Sequence, residues 1–481
     1  MPTRTMQRPI HSLFASGLFL MLAITSCVPA LKVREARKGT PGTYAGSADT
    51  TNSASLPRAL FIADPDLRAL IDTALANNQE LSILLQEVEV LRNEARARKA
   101  EYLPFVGLGL GADVEKVGEF TRNGAVEHNL DVKEGTHFPE PLSNYGAGLR
   151  ASWELDVWKR LRNARKAATL RYLGGMEGRN FMVTNLVAEI ANSYYELLAL
   201  DNQLEILQAN IAIQQDALEV VKLQKQAAKV TELAVRRFEA EVLKNRSALF
   251  DVQQRITQTE NRINFLVGRY PQPVQRRRDA FAGISPVALQ SGLPAQLLTN
   301  RPDIRQAELE LEAAKLDVKA ARASFYPSVG IRAGVGFNAF DPMLLLESPA
   351  SLMYGLAGDL VTPLVNRNAI KAQYASATAR QLQAVHAYER TLLNAYVEVA
   401  NELSNINNLE ASYDLRRQQV DVLSSSITIS NNLFRSARAD YMEVLLTQRE
   451  ALESKVELVE TRKRQMNAMV DMYRALGGGW R

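Results

Sequence analysis

The chain contains few residues whose types and spacing could carry out catalysis or hold a metal. Its 481 residues include four histidines, one of them in the apolar N-terminal segment. They are His11, His128, His137 and His386. None has the spacing to a second ligand that zinc sites use, and no nucleophile stands in a recognisable arrangement with a base. The sequence therefore predicts no enzyme activity, no cofactor and no metal site.

The only cysteine, Cys27, stands where a lipid-attachment residue is expected. It follows an apolar run over residues 13–22, which has arginines and no acid before it and is too short to span a bilayer permanently. Residues 24–27, Ile-Thr-Ser-Cys, resemble the bacterial lipobox, in which the cysteine becomes the first residue and is acylated. We therefore predict that residues 1–26 are a lipoprotein signal peptide and that Cys27 carries lipid. An ordinary signal peptide with a chance cysteine is the alternative.

The residues after Cys27 indicate a tether and an outer-membrane location. Val28 stands in place of the aspartate that retains many lipoproteins at the inner membrane. Residues 38–57 are rich in Gly, Ser, Thr, Ala and Pro, and predict a flexible tether within an acylated segment of residues 27–60. The net charge of +4 gives no argument for a nucleic-acid partner.

The rest of the chain consists of two internal repeats. Matching positions include Pro104 with Pro327 and Leu155 with Leu364. The offset between the halves shortens by 14 residues between these two pairs. We therefore predict a first repeat over residues 61–285 and a second over residues 286–481. The surplus in the first repeat falls most simply in one polar loop within Lys116–Pro141.

Apolar residues spaced by seven predict long helices that pair as in a coiled coil. They are Val183, Ile190, Leu197, Leu204, Ile211 and Leu218 in the first repeat, and Leu392, Val399, Ile406, Tyr413, Val420 and Ile427 in the second. A returning helix follows each, after tips at residues 227–230 and 436–439. A helix over residues 159–227 would be about 100 Å long, which suits a tube across the periplasm. Three glycines within residues 174–178 predict a kink or break in it.

Four short Gly-rich segments alternate apolar and polar residues and predict strands. They cover residues 105–117, 145–157, 329–340 and 352–364. Each repeat thus contributes one β-hairpin. Four tilted strands cannot close a barrel, and an open sheet edge is not tolerated in lipid, so the chain must oligomerise or keep its strands out of a membrane. The predicted fold is mainly α with a small transmembrane β part, built from a duplicated strand-hairpin and long helical-hairpin unit.

Six segments spread over nearly all of the chain after Cys27 carry a family resemblance. They are Asn77–Leu81, Tyr102–Pro104, Ala151–Asp156, Asn300–Ile304, Phe325–Ser328 and Asp440–Leu446. The Arg-Pro-Asp-Ile helix start followed by a Pro-Ser strand start is fairly specific. Through these segments the chain resembles the TolC-like outer-membrane efflux proteins, in the lipoprotein (NodT/OprM-like) branch that includes drug and metal efflux channels.

The resemblance implies a homotrimer, with a twelve-stranded outer-membrane β-barrel continued by a twelve-helix periplasmic tunnel. It also implies assembly with a periplasmic adaptor (membrane fusion) protein and an inner-membrane transporter of the RND type, in contact with outer-membrane lipid. The implied function is a passive duct, driven by the inner-membrane pump, that exports drugs, toxic compounds or metal ions from the periplasm. Cargo specificity is expected to reside largely in the pump.

The resemblance also places candidate site residues at the hairpin tips. In the family, acidic side chains of the last hairpin close the tunnel, and here Asp440 and Glu443 occupy that segment. Glu443 stands at the family's first acid position and Leu446 at the second, which weakens the case for a double acidic ring. A solvated first helical turn is the alternative, because acids favour helix N-termini. Lys229 and Arg438 occupy equivalent tips and are candidates for adaptor contact or for ties between hairpins, with simple solvation as the alternative.

Two other functions fit parts of the pattern. An outlet for protein or peptide secretion would keep the fold and change the cargo, and only the lipobox, by resemblance, favours efflux over it. A lipid-anchored coiled-coil structural protein without a pore would account for the heptads but not for the paired Gly-rich strands. Single-channel conductance separates this second alternative from a channel.

Overall fold

A computed structural model describes most of the chain after the signal segment. The described residues are 28–44, 50–133, 135–277, 281, 283, 289–362, 367–436 and 438–480. The predicted signal peptide and Cys27 lie outside them. The chain divides into two compact units, each combining segments from both halves of the sequence. One unit contains Val90–Tyr172 and Leu309–Val385 with residues up to Glu35, and the other contains Ala36–Glu89, Leu173–Glu308 and residues from His386 onward.

The fold is mainly helical, as predicted. In chain order the helices are α1 Arg58–Phe61, α2 Pro65–Asn77, α3 Gln79–Ala100, α4 Arg122–Asn129, α5 Arg160–Gln226, α6 Glu232–Val267, α7 Leu297–Asn300, α8 Pro302–Ala323, α9 Asn368–Arg435 and α10 Tyr441–Ala475. No helix in the described part of the chain has both the length and the apolar character that crossing a bilayer requires.

Both predicted helical hairpins are present. Helix α5 has 67 residues and α9 has 68, and each is followed by a shorter returning helix. The first reversal lies between α5 and α6, where Ala228 adopts a left-handed φ of 55°. The second lies between α9 and α10. The heptad pattern therefore identified the correct helices and the correct turning points.

Helix α5 runs without interruption through the three glycines at which the sequence predicts a kink or break. The structure gives Gly178 a packing role instead, because a Cβ there would lie 3.0 Å from the side chain of Gln306 in α8. Glycine in a helix costs up to about 1 kcal/mol relative to Ala, but tertiary context often overrides that preference. The predicted break is therefore wrong.

Each repeat contains an equivalent contact between helices, called here the joint. In the first repeat the joint connects the start of α3 to the end of α6, and in the second it connects the start of α8 to the end of α10. In the first copy, the Asn78 side chain donates to the Leu266 carbonyl at 2.9 Å. In the second copy, the Arg301 guanidinium donates to the Ala475 carbonyl at 2.8 Å. The two copies match at the offsets found in the sequence.

The joint also requires a glycine in each copy. Gly268 and Gly477 have φ of 77° and 91°. A Cβ on Gly268 would lie 2.4 Å from the Asn77 carbonyl oxygen, and one on Gly477 would lie 2.6 Å from the Asn300 carbonyl oxygen. Only glycine fits such a left-handed helix end so close to another backbone. The internal repeat is thus retained at the level of single hydrogen bonds and single glycines.

The strands form one main antiparallel sheet. They are β1 Phe105–Glu115, β2 Asp131–Lys133, β3 Thr136–His137, β4 Leu142–Leu155, β5 Ser328–Ala339 and β6 Leu352–Val361. The main sheet has the order β1-β4-β5-β6, and β2 pairs with β3 separately. The hairpins β1-β4 and β5-β6 confirm the prediction of one strand pair per repeat. The pairing of β4 with β5 joins the two halves of the sequence.

The segment between β1 and β4 is partly folded rather than the simple polar loop that the sequence predicts. It contains α4, whose first turn is capped where the Thr121 hydroxyl accepts from the Gly124 amide at 3.2 Å. It also contains the short β2-β3 hairpin. Lys116 and Glu140 form an ion pair at 2.8 Å across its base. Local capping and turn formation therefore give this insertion its own structure.

The described residues after Cys27 pack against helices, in contrast to the flexible tether predicted from composition. In the first unit, the Gln381 side chain accepts from the Arg34 amide at 3.2 Å and donates to its carbonyl at 2.7 Å. In the second unit, Tyr44 is 1% exposed and stacks on Tyr396 with ring centroids 5.2 Å apart. Small polar residues allow an extended backbone, and tertiary contacts then hold it.

Asp156 fixes the start of α5 at the end of β4. Its carboxylate accepts from the backbone amides of Leu161 and Arg162, both at 2.9 Å, and from the Arg162 guanidinium at 3.1 Å. Burial raises the pKa of the Asp156 carboxyl, but these hydrogen bonds outweigh it, so the pKa lies below its usual value. The carboxylate satisfies amides that a helix N-terminus otherwise leaves without partners.

Replacing Asp156 should destabilise the protein. We expect Asp156→Ala to lower thermal stability in detergent by the equivalent of about 1–2 kcal/mol, the usual cost of removing a helix cap. A lowered pKa stabilises the fold above the unfolded-state pKa, and that contribution is lost as pH falls through the folded-state pKa. The difference between variant and parent should therefore shrink below about pH 4. Asp216→Ala, at an exposed site within α5, is the control and should have little effect.

Candidate functional site

The main sheet has one apolar and one polar face, because side chains alternate along each strand and the registers align the four strands. The apolar face includes Val106, Leu108, Leu110, Leu149, Val335, Phe337, Tyr354 and Leu356. These side chains are strongly exposed, with Leu110 at 77% and Tyr354 at 83%. An exposed apolar surface of this kind needs lipid or another protein to cover it.

The opposite face combines glycines with charged and polar side chains. Its glycines are Gly107, Gly109, Gly111, Gly146, Gly148, Gly330, Gly334, Gly336 and Gly355, and its charged residues are Asp113, Glu115, Arg150, Glu154, Arg332 and Asp359. Its large apolar residues stand near strand ends: Phe105, Leu142, Met353 and Val361. Arg332 donates to Asp359 at 2.7 Å, and Asn144 donates to Asp113 at 3.1 Å. This face has the chemistry of a surface in contact with water.

Two of these glycines are required by the strand pairing itself. Gly148 and Gly336 stand opposite each other in the register. A Cβ on Gly336 would lie 2.5 Å from the Ala147 carbonyl oxygen. A Cβ on Gly355 would instead meet nothing within 4 Å. The polar face therefore has glycines that the sheet needs and glycines that it does not.

Both edges of the main sheet are free in the described part of the chain. The edge strands are β1 and β6, with 11 and 10 residues. Each presents a row of backbone donors and acceptors that a partner strand can satisfy. Neither edge contains a proline or a described bulge. The edges are suited to pairing with other strands.

Aromatic residues lie at the end of the main sheet where β4 leads into α5, called here the helix end of the sheet. The Trp153 indole donates to the Tyr102 carbonyl at 3.0 Å, and Phe105 is 72% exposed. The Trp158 indole donates to the Pro327 carbonyl at 2.8 Å. These contacts fix the tryptophans to the backbone beneath the strands.

The predicted gate residues lie together at the second hairpin tip. Asp440 precedes the first residue of α10, and Glu443 is in its first turn. Both are exposed, and neither forms an ion pair with any residue that the structure describes. The Glu443 amide donates to the Asp440 carbonyl at 3.1 Å. Leu446, at the second acid position of the family pattern, is 38% exposed.

The first hairpin tip has a different charge pattern. Its acid, Glu232, is bound by Lys225 and by Arg236, the latter at 2.8 Å. The hydrogen bond from Lys225 lowers the pKa of the Glu232 carboxyl. Lys229 and Arg438, the predicted tip cations, are exposed at the two reversals. Of the acids that the structure describes at the two tips, those without an ion-pair partner, Asp440 and Glu443, lie at the second.

Helices α5, α6, α9 and α10 leave two apolar rows exposed. In the second unit, Leu452 of α10 lies in a cluster with Leu207 and Ile211 of α5. Helix α9 packs on α10, where the Arg462 guanidinium lies 4.9 Å from the centroid of the Tyr413 ring. The exposed rows, spaced by seven residues, are Leu415, Val422 and Ile429 on α9, and Leu243 and Phe250 on α6. Each is 58–69% exposed, as a helix-packing surface without its partner would be.

A buried amide layer interrupts the core of these helices and was not predicted. Asn245 of α6 donates to the side chain of Gln214 in α5 at 2.7 Å. Gln448 of α10 is 1% exposed, and neither of its amide atoms has a partner in the described part of the chain. Apolar clusters lie on either side of this layer along each helix. Buried polar groups in paired helices fix register at a cost in stability. The signal in the sequence was a polar residue three positions after an apolar heptad residue in each helix: Gln214, Asn245 and Gln448.

A two-faced sheet with free edges, together with long helical hairpins that have uncovered apolar rows, is typical of an outer-membrane channel subunit. The chain belongs to the outer membrane efflux protein family, whose model matches residues 70–269 and 293–478, more than half of the chain. It is therefore an efflux protein of the bacterial outer membrane.

The alignments with similar proteins cover nearly the whole chain. The solvent efflux pump outer membrane protein SrpC of Pseudomonas putida is 29% identical, with 96% of this chain and 97% of SrpC aligned. The cation efflux system protein CusC of Escherichia coli K12 is 27% identical, over 95% of this chain and 97% of CusC. The open-state crystal structure of the Neisseria gonorrhoeae outer membrane channel MtrE has a TM-score of 0.82. That alignment covers 95% of this chain and 99% of MtrE at 23% identity, and it establishes the fold.

Proposed function

We propose that the chain is the channel subunit through which a tripartite efflux system exports toxic small molecules or metal ions, and that it has no catalytic activity. The observation that carries this proposal is the sheet with one apolar and one polar face. Such a sheet, closed on itself, turns the apolar face to lipid and the polar face to a water-filled passage. Relatives named for solvent and cation efflux support both cargo classes.

A homotrimer is the assembly that we propose. The free edges run antiparallel to each other, so β6 of one copy can pair with β1 of the next. Each copy adds four strands, and three copies give a barrel of about twelve, within the range of bacterial barrels. Two or four copies would also give an even number, so the choice of three rests on the family resemblance.

The exposed helical rows support the same assembly. Helices α6 and α9 each carry an apolar row that the chain itself leaves uncovered. In a ring of copies, α9 of one chain can pack against α6 of its neighbour by the same heptad packing that joins the helices within the chain. The twelve long helices of a trimer would then form a periplasmic tunnel.

The remaining partners follow from this role. A channel without a motor needs an inner-membrane transporter, for which we propose the RND type, and a periplasmic adaptor to join the two. Exposed Lys229 and Arg438 at the hairpin tips are suited to contact such an adaptor. The matching hydrogen bonds at Asn78 and Arg301 support repeats over residues 61–285 and 286–481.

We also propose that Cys27 is acylated after removal of residues 1–26. Several acyl-chain CH₂ groups, each contributing about 0.8 kcal/mol, would hold the N-terminus at the membrane. Cys27→Ser should abolish labelling by radioactive palmitate, while Ser26→Ala should retain it. Continued labelling of the Cys27→Ser protein would contradict the lipid attachment.

The trimer can be tested at the exposed row of α9. Val422→Glu would place a charge in the proposed contact between copies, and we expect the trimer population to fall by at least about tenfold, which corresponds to 1.4 kcal/mol. The measurement is the heat-modifiable trimer band on gels, together with light scattering in detergent. Thr428→Glu adds the same charge at an exposed position of α9 that points away from this row and should leave the trimer intact. Equal loss of trimer in both variants would contradict the assigned contact.

The acidic tip of the second hairpin is the proposed periplasmic gate. Three copies would bring three Glu443 carboxylates, with Asp440 beside them, to the narrow end of the tunnel. A ring of like negative charges attracts cations and excludes anions. Because exposed ion pairs contribute only about 0–1 kcal/mol, closure depends mainly on helix packing, with charge as a smaller contribution.

The gate assignment predicts a change in ion selectivity. Glu443→Gln should reduce the cation preference of single channels in planar bilayers, because it removes the charge at the constriction. Glu453→Gln, an exposed position further along α10, is the matched control and should change the preference less. Identical reversal potentials for Glu443→Gln and the parent would show that Glu443 does not line the constriction.

A further inference from the structure

The polar face of the sheet carries one positive charge that no described residue neutralises. Arg150, in β4, is exposed and has no hydrogen-bond or ion-pair partner among the residues that the structure describes. The other arginine of this face, Arg332, is bound to Asp359. At the helix end of the sheet, Glu154 is bound by Arg160. Arg150 is therefore the unpaired cation of this face.

The strand register surrounds Arg150 with glycines. Gly107 on β1 and Gly334 on β5 stand directly opposite it, and Gly355 on β6 stands opposite Gly334. Across all four strands, Arg150 thus supplies the only side chain that this row presents on the polar face. Near the guanidinium, a Cβ on Gly109 would lie 3.9 Å from the Arg150 Nε.

Packing within the sheet explains only one glycine of this row, Gly107, where a Cβ would lie 3.3 Å from the Phe105 ring. A Cβ on Gly355 would meet nothing within 4 Å, and one on Gly334 would meet nothing closer than 3.6 Å. Glycine is unfavourable inside a strand, because it has no side chain to pack and loses more backbone entropy. The strands would therefore accept larger residues at Gly334 and Gly355, and the absence of side chains there leaves that side of the guanidinium open.

We propose that Arg150 is the charge-selecting residue of the sheet section of the duct. The inference rests on the proposed function, in which three copies close a barrel with their polar faces inward. Three-fold symmetry then sets three guanidinium groups at one level of the passage. A guanidinium binds carboxylate and phosphate oxygens through two parallel hydrogen bonds, and a ring of positive charges repels cations. This section therefore favours cargo that carries carboxylate or phosphate groups.

The Arg150 ring and the Glu443 tip have opposite charges, so their contributions can be separated. Removing the positive ring moves the ion preference toward cations. Removing the acidic tip moves it toward anions. A general effect of substitution on the channel would move both variants in the same direction.

The test is the permeability ratio of chloride to potassium, from single-channel reversal potentials across a KCl gradient. Arg150→Gln should lower this ratio by about twofold or more, because a charged passage concentrates its counter-ions. The effect should grow at low salt, since the Debye length is about 10 Å at 0.1 M and about 30 Å at 0.01 M. Arg150→Lys retains the charge and should keep most of the parent ratio.

A second variant on the same face should shift the permeability ratio in the opposite direction. Asp359→Asn releases Arg332 from its ion pair and should raise the ratio of chloride to potassium permeability. The double variant Arg332→Gln with Asp359→Asn removes the pair without changing the net charge and should leave the ratio unchanged. A conducting Arg150→Gln channel with the parent ratio at both salt concentrations would overturn the proposal. Failure of the parent protein to form any channel would instead overturn the proposed function.

Citrate block provides a second measurement that does not depend on recovering Arg150→Gln. Citrate has three carboxylates and should reduce the current of the parent channel at low salt. Arg150→Lys should be blocked at least about threefold more weakly, because an ammonium lacks the forked geometry of a guanidinium. Absence of block in the parent, or equal block in parent and Arg150→Lys, would overturn the proposal.

Discussion

An unpaired strand edge cannot be left in lipid, and much of this structure follows from that constraint. The main sheet has four strands, with a strongly apolar face and two free edges of 11 and 10 residues in the described chain. Four strands are too few to close on themselves. In the proposed trimer, pairing with other copies satisfies both edges. The exposed rows on α6 and α9 would be covered in the same proposed assembly.

Duplication supplies the parts that this assembly requires. The two copies of the joint place Asn78 and Arg301 against equivalent carbonyls, and Gly268 and Gly477 against equivalent backbone segments. The copies have diverged in side-chain chemistry while keeping the geometry. Arg301 also binds Asp303 at 2.7 Å and Glu398 at 2.7 Å, bonds that a neutral amide could not replace. The Arg-Pro-Asp-Ile segment is thus a buried structural link.

The differences between the copies lie at positions that would face the passage. Unpaired acids occur at the second hairpin tip, whereas Glu232 at the first tip is paired. Arg150 in the first repeat has no counter-ion among described residues, whereas Arg332 in the second is neutralised by Asp359. A pseudo-symmetric framework therefore carries an asymmetric set of charges. In a homotrimer each unpaired charge would occur three times around the axis, which gives single residues a large effect on selectivity.

The sequence by itself determined the order and type of the main-sheet strands and of the long helices. Period-seven apolar residues specify long paired helices, and alternating Gly-rich segments specify strands, because burial of one face imposes those periods on the chain. The four strands of the main sheet and α5 accordingly begin and end within a few residues of the predicted positions. Tertiary structure alone decided the rest. The sequence signals that failed were local ones: the glycines of α5 do not break the helix because Gln306 packs on Gly178, and the residues after Cys27 pack against helices despite their composition. The pairing of β4 with β5 also depends on contacts between residues far apart in sequence, and it sets the register that surrounds Arg150 with glycines. Periodicity records which face of an element is buried, whereas the identity of the neighbour on that face emerges only when the chain has folded.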